Sequence, residues 1–373
     1  MPCTVFFGEM PDSTSGKSIR TALIGYGFAG KTFHAPLIQA VDGLKLTHVS
    51  SRRPEAVLAD MPEVTICPEP KTVATHPDVD LVVIASPNES HFPLAAAALR
   101  AGKHVVVDKP FTVTLEQSRS LVQLAKEHRR LLSVFHNRRW ESESLAAKAI
   151  LESGILGEVA HFETHIDRFR PNVRRRWRED VGPGAGLWFD LGPHLIDETL
   201  QLFGLPESVQ ANLAILRKGG QTDDWAHVVL NYPSSRVVLQ ASLLVAGGGP
   251  RSEMHGTKGS WFKYGADVQE RQLISGMKPH DAGFGIDSDP GIFVEGATGE
   301  RREIPAPAGD ETLYYSGVRD ALWGRGTNPV TPAQALAVMA VLERCFESAA
   351  AGRTLPLNLT EQERLDWSDD TSE

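Results

Sequence analysis

SIRTALIGYGFAG, residues 18–30, runs from a short β-rich segment straight into three closely spaced glycines. Ile19 to Ile24 reads as a strand, and Gly25, Gly27 and Gly30 fit the pattern G-x-G-x-x-G. After a strand and before a helix, that spacing has a mechanical meaning. The first glycine allows a tight turn, the second lets the backbone approach a pyrophosphate, and the third lets the helix pack close to the strand. Phe28 and Ala29 complete the candidate phosphate loop. Downstream, apolar strands alternate with helical stretches: LKLTHV (44–49), a short strand near Val64–Cys67, LVVIAS (81–86), HVVVDKP (104–110) and LLSVFHN (131–137). Continuous Val/Ile/Leu runs separated by helices predict a parallel, doubly wound sheet covered on both faces, with ligands at the carboxyl ends of its strands.

After about residue 141 the pattern changes. The helix ESLAAKAILESG leads into the alternating strand GEVAHFETHIDR, then the helix DLGPHLIDETLQLFG, then SVQANLAILR, WAHVVLNYP and RVVLQASLLVA. Strands that follow one another without crossover helices predict an antiparallel or mixed sheet. The expected organisation is a flexible tail over 1–17, a dinucleotide-binding Rossmann domain over 18–140, and an α+β domain for substrate and oligomerisation over 141–360. A mobile acidic tail over 361–373 follows. A chain of 373 residues exceeds the roughly 250–300 at which one core stops growing, in keeping with two domains. With 38 basic and 47 acidic residues the net charge is −9, which disfavours nucleic-acid binding. Three dispersed cysteines fit no metal spacing and suggest a reducing compartment. The start, MPCTVFFGEMPDSTSGKS, lacks the pattern of a secretory signal, and no run suffices to span a bilayer. A cytoplasmic protein without membrane partners is expected.

Cofactor choice is read at the end of the second strand. A carboxylate there would bind a ribose 2′-hydroxyl, but the chain has Ser50, Ser51, Arg52 and Arg53. Ser51 and Arg52 suit a 2′-phosphate, so NADP is expected over NAD. At the fifth strand's end stands Asp108-Lys109-Pro110, where a lysine opens into the cleft and can act in acid–base chemistry. Further on, Asp190 and His194 are four residues apart at a helix start, so the carboxylate can hold the imidazole.

GYGFAG (25–30), SPNESH (86–91), AGKHVVVDKP (101–110) and GLWFDLGPHLID (186–197) together resemble the Gfo/Idh/MocA oxidoreductase family over nearly the whole chain after the tail. VFHNRRW and DRFRPNVRRRWRE resemble more specifically the branch that contains NADP-dependent scyllo-inositol dehydrogenases. The resemblance implies hydride transfer at a polyol or sugar carbon, with Lys109, Asp190 and His194 as the catalytic residues and Pro87, Asn88 and His91 in a cofactor-contacting loop. Asp108 replaces the glutamate of the family's E-K-P motif and leaves the lysine in place. Which of His194 and Lys109 is the formal base stays open. A binding-only regulator and a redox-retaining glycosidase are the rival functions. Retention of Lys109, Asp190 and His194 together argues against the regulator.

Other segments are read more blandly. His161, Glu163 and His165 alternate on one strand face, yet neither open geometry nor a second shell is visible, so no metal is expected. Six arginines between Arg168 and Arg178 form either a loop over phosphates or an anionic substrate, or a solvated loop. His136 and Asn137 at the sixth strand's end, with Asp167 and Trp177, are the candidate substrate contacts. An open apolar sheet face in the second domain predicts a homodimer or a dimer of dimers.

Overall fold

The computed structural model describes residues 16–370. The first six strands, β1 (Ile19–Ile24), β2 (Leu44–Ser50), β3 (Thr65–Ile66), β4 (Leu81–Ile84), β5 (His104–Asp108) and β6 (Leu132–Phe135), form one sheet. Its order is β3-β2-β1-β4-β5-β6, and every pairing is parallel. The order reverses between β1 and β4, which places the crevice for a ligand at their carboxyl ends. Every side chain of β4 is buried, as a strand covered on both faces requires.

The second sheet is built from β7 (Val159–Asp167), β8 (Ser208–Ala214), β9 (Trp225–Asn231), β10 (Arg236–Ser242), β11 (Ser252–Gly256), β12 (Gly259–Lys263), β13 (Gly291–Glu295), β14 (Arg301–Ile304) and β15 (Leu355–Pro356). The order is β14-β13-β12-β11-β7-β10-β9-β8-β15. Only β7 and β10 run parallel, so the sheet is mixed and mostly antiparallel. Phe162, Thr164 and Ile166 of β7 are buried on the face covered by the Leu187–Phe203 helix, while His161, Glu163, His165 and Asp167 alternate onto the other face. That second face departs from the expected apolar surface: its central strand carries histidines and carboxylates.

The two halves are laced together. The Pro332–Ala351 helix packs on both β6 and the Leu115–His128 helix. Glu343 on it accepts the Leu115 amide at 3.0 Å, and Ser133 of β6 donates to the Val330 carbonyl just before it at 3.0 Å. This long helix has the capping box Thr331/Gln334 at its start and Gly352 at φ 60° at its end.

The ends of the chain also differ from expectation. Of the 1–17 tail, residues 1–15 lie outside the described residues, and the Lys17 carbonyl accepts from the Trp323 indole at 3.2 Å. The acidic tail is not free over its described part: Glu361–Asp370 is a helix. Arg119 holds Glu363 through two of its guanidinium nitrogens (2.7 and 3.1 Å), Lys126 reaches Asp366 at 3.1 Å, and Trp367 is buried in the core. A charge run read as solvated thus meets a basic face of the Leu115–His128 helix and is anchored by one indole. No helix among the described residues is long and apolar enough to cross a membrane.

Burial of Trp367 generates a test. Trp367→Ala should destabilise the protein by about 3 kcal/mol in urea unfolding. A free tail would give a change within about 0.5 kcal/mol, the range of ordinary surface substitutions.

Candidate active site

The glycine loop has the shape a pyrophosphate needs. Gly25 sits at φ +102°, and a Cβ there would stand 2.4 Å from the Ala85 carbonyl oxygen. A Cβ on Gly30 would stand 2.0 Å from the Gly25 carbonyl, whereas one on Gly27 meets nothing within 4 Å. The first and third glycines are therefore packed into the turn, and the middle one faces open space. Phe28, beside it, is 60% exposed, an apolar ring at the mouth of the loop next to Ala29. Ser51 and Arg52 follow β2, beside the carboxyl end of β1. The Ser51 hydroxyl accepts the Arg53 amide at 3.0 Å and fixes the turn, while Arg52 is exposed. These residues fit a dinucleotide.

In SPNESH, Pro87 opens a short helical turn over Asn88–Ser90 at the end of β4. Asn88 and His91 face inward rather than into the crevice. Asn88 donates to the Gly184 carbonyl at 2.9 Å, tying this loop to the arginine-rich one. The His91 ring lies between the Pro110 carbonyl (2.8 Å) and the Ser86 carbonyl (2.9 Å). Burial pushes its basicity down. Both residues tie together the loops around the crevice.

Lys109 follows β5 and meets the helix Leu187–Phe203 of the other half. Its ammonium donates to the Asp190 carbonyl at 2.7 Å and lies 3.4 Å from the Asp190 carboxylate. The helix starts at Leu187, three residues before Asp190, because the Asp223 carboxylate accepts the Trp188 amide at 2.6 Å and caps it from outside. Asp190 therefore sits inside the first turn, and its carboxylate pairs with Lys109 and with Arg178 at 3.3 Å. The expected Asp190–His194 contact is not formed: those two cations take the carboxylate, and His194 Nδ1 is buried without a hydrogen-bond partner.

The electrostatics follow from this arrangement. Burial lowers the Lys109 basicity, and Asp190 and Asp108 oppose it. Burial raises Asp190, but Lys109, Arg178, Arg168 and Arg176 outweigh it and hold its pKa at about 2. Burial, then Lys109 and Arg138, drive His194 well below the ordinary imidazole range, so it is neutral. His136, at the end of β6, is pushed down to about 4 by burial, and both its ring nitrogens are buried without partners.

Of the other candidate substrate contacts, Asn137 is buried and donates to Glu311. Asp167 lies on the opposite face of β7, 3.6 Å from His165. Its neighbour Arg168, on the alternate face, is the residue whose charge reaches Asp190. Trp177 lies in a short turn with the Arg178 guanidinium 4.3 Å above its ring. The arginine loop is tied together from within: Glu179 gathers Arg174 (3.2 Å), Arg176 (2.8 Å) and the distant Arg217 (3.1 Å). Glu179 and Arg217 were not singled out in the sequence. A lone carboxylate closing an arginine run was the available signal for Glu179, and nothing marked Arg217.

A crevice at a strand-order reversal, a glycine loop at its mouth and a lysine–carboxylate pair with a neutral histidine across it define a nucleotide-dependent oxidoreductase. Residues 19–136 match the NAD-binding Rossmann model of the Gfo/Idh/MocA oxidoreductases, and residues 148–359 match that family's C-terminal α/β domain. The chain belongs to the Gfo/Idh/MocA oxidoreductase family. It is 51% identical to the uncharacterised oxidoreductase YdgJ of Escherichia coli, over 91% of this chain and 99% of that protein. It is 34% identical to the NADP-dependent scyllo-inositol 2-dehydrogenase IolW of Bacillus subtilis, over 91% and 96%. The crystal structure of an oxidoreductase from Klebsiella pneumoniae superposes with a TM-score of 0.90 at 54% identity, covering 95% of this chain and 99% of that one.

The Lys109–Asp190 pair predicts a titration. Asp190 favours the ammonium, so Asp190→Asn should move the Lys109 pKa further down. An NMR pH titration of labelled lysine side chains reads this directly, and an unchanged or raised Lys109 pKa would contradict the pairing.

Proposed function

We propose that this protein is an NADP-dependent dehydrogenase acting on a secondary alcohol or ketone of a polyol or sugar of the inositol type. The observation that carries the reading is geometric: Lys109 at the end of β5 donates to the Asp190 carbonyl at 2.7 Å and lies 3.4 Å from its carboxylate, with the buried His194 one helical turn further along. The similarity to a scyllo-inositol dehydrogenase supports the substrate class. A nicotinamide, when bound, supplies the hydride acceptor or donor.

The chain's own residues divide the remaining work. Gly25, Gly27 and Gly30 hold the pyrophosphate on backbone amides. Ser51 and Arg52 receive the 2′-phosphate. Lys109 donates a hydrogen bond to the reacting oxygen and stabilises its developing negative charge. His194, neutral at working pH, accepts the hydroxyl proton on oxidation and returns it on reduction. Asp190 keeps Lys109 charged and in place, and Arg178 with Trp177 closes the loop beside it. The sparse cysteines, with Cys67 and Cys345 free, fit a cytoplasmic setting.

Two measurements test this reading. Arg52→Ala should weaken NADPH binding about tenfold and leave NADH within about twofold, by calorimetry, consistent with loss of one charge-assisted contact of roughly 1.5 kcal/mol. Equal losses for both cofactors would remove the NADP assignment. On a panel of cyclitols and sugars followed by absorbance of the reduced cofactor, Lys109→Met and His194→Ala should lower kcat/KM at least about a hundredfold with NADPH binding near normal. The wild-type acidic limb should fall below the ordinary imidazole range, because His194 must lose its proton to act and burial makes that loss easy. Near-wild-type turnover in Lys109→Met would leave a binding-only protein as the better description.

A further inference from the structure

The open face of the second sheet carries a group of side chains that the redox site does not use. On β7, His161 Nε2 lies 2.8 Å from one oxygen of Glu163, and His165 Nε2 lies 3.1 Å from the other. On the adjacent β11, Glu253 stands directly opposite Glu163 and His255 directly opposite His161. One ligand atom from each of His161, Glu163 and Glu253 falls within 4.8 Å of the others. All three side chains are half-buried within the chain, so the cluster is formed in advance.

Two carboxylates facing one another across an antiparallel pair repel. Among the described residues, neither Glu163 nor Glu253 has a lysine or arginine ion-pair partner; their only ion-pair partners are histidines. A bound cation between the two carboxylates would relieve that repulsion. Ligand atoms bonded at about 2.0–2.1 Å to a tetrahedral zinc ion stand roughly 3.3 Å apart. The His161–Glu163 contact needs to open by only about half an ångström to admit one. The requirement for supporting groups, which the sequence left unanswered, is met. His165, itself 3.6 Å from Asp167, holds the second oxygen of Glu163, and His255, fixed by Ser260 at 2.8 Å, lies 3.6 Å from Glu253. A mixed imidazole and carboxylate set selects a transition cation over magnesium or calcium.

We propose that His161, Glu163 and Glu253 form a binding site for one divalent transition cation of the zinc type on the open face of the second sheet. The remaining coordination position is open to water. The site is separate from the Lys109 crevice: it lies on the sheet face opposite the one the Leu187–Phe203 helix covers.

Calorimetric titration of the full-length protein with zinc chloride alone tests the proposal. One zinc ion per chain is expected. His161→Ala and Glu163→Gln should each weaken binding at least tenfold, whereas His227→Ala, on β9 of the same sheet and outside the cluster, should not. Cobalt(II) should give a visible d–d absorption, without a thiolate charge-transfer band, that disappears in His161→Ala. NADPH affinity should be the same with and without the metal. Absence of saturable zinc binding in the wild type would overturn the proposal. Equal binding by the wild type and both cluster variants, or a thiolate band, would also overturn it by placing the metal elsewhere.

Discussion

The pairing of the Lys109 ammonium with the Asp190 carboxylate at 3.4 Å, beside its hydrogen bond to the Asp190 backbone carbonyl, is the contact on which the site depends. Lys109 ends a strand of the parallel sheet, and Asp190 lies in the first turn of a helix from the second half. Without this contact, a lysine buried at a strand end would shed its proton, since burial alone penalises the charged form. With it, the Asp190 carboxylate opposes that loss, while burial first and the Lys109 charge second push the neighbouring His194 down. One interaction between the halves thus fixes geometry and opposes the effect of burial on Lys109.

Much of the surrounding structure serves to hold that pair in place. His91 sits between the carbonyls of Ser86 and Pro110 and donates to one of them, so the loop after β4 packs against the turn that carries Lys109. Asn88 bonds Gly184 and draws in the arginine loop, whose Arg178 supplies the second cation on Asp190. Glu179 prevents that loop from repelling itself apart, because its carboxylate gathers Arg174, Arg176 and Arg217. The long Pro332–Ala351 helix packs across β6, so the end of the strand bearing His136 is also braced by the second half. Rigid elements from both halves therefore meet at the crevice, as precise positioning of reacting groups requires.

The parallel sheet was legible because its evidence is local: a strand, a glycine turn at fixed spacing, then apolar runs of strand length. The lysine and the D-x-x-x-H segment were legible as residues, but their partners were not. Spacing of four suggested that Asp190 serves His194, yet two cations distant in sequence compete for the carboxylate and win. Asp167 and Arg168 could not be told apart, since adjacent residues at a strand end point to opposite faces and the register decides which one meets the site. The acidic tail was misread for a related reason: its charges look solvated until the basic face of the Leu115–His128 helix is placed beside them. Strands β11, β14 and β15 carried too little pattern to be seen before their neighbours in the sheet were known.

The central claim is that Lys109 and Asp190 act as one unit. A double-mutant cycle on kcat/KM, built from Lys109→Met, Asp190→Asn and the pair, measures this directly. The Asp190 carboxylate works by favouring the charged Lys109, so the double variant should be little worse than Lys109→Met alone. A double variant whose loss equals the product of the two single losses would show that the residues act independently, and would contradict the account.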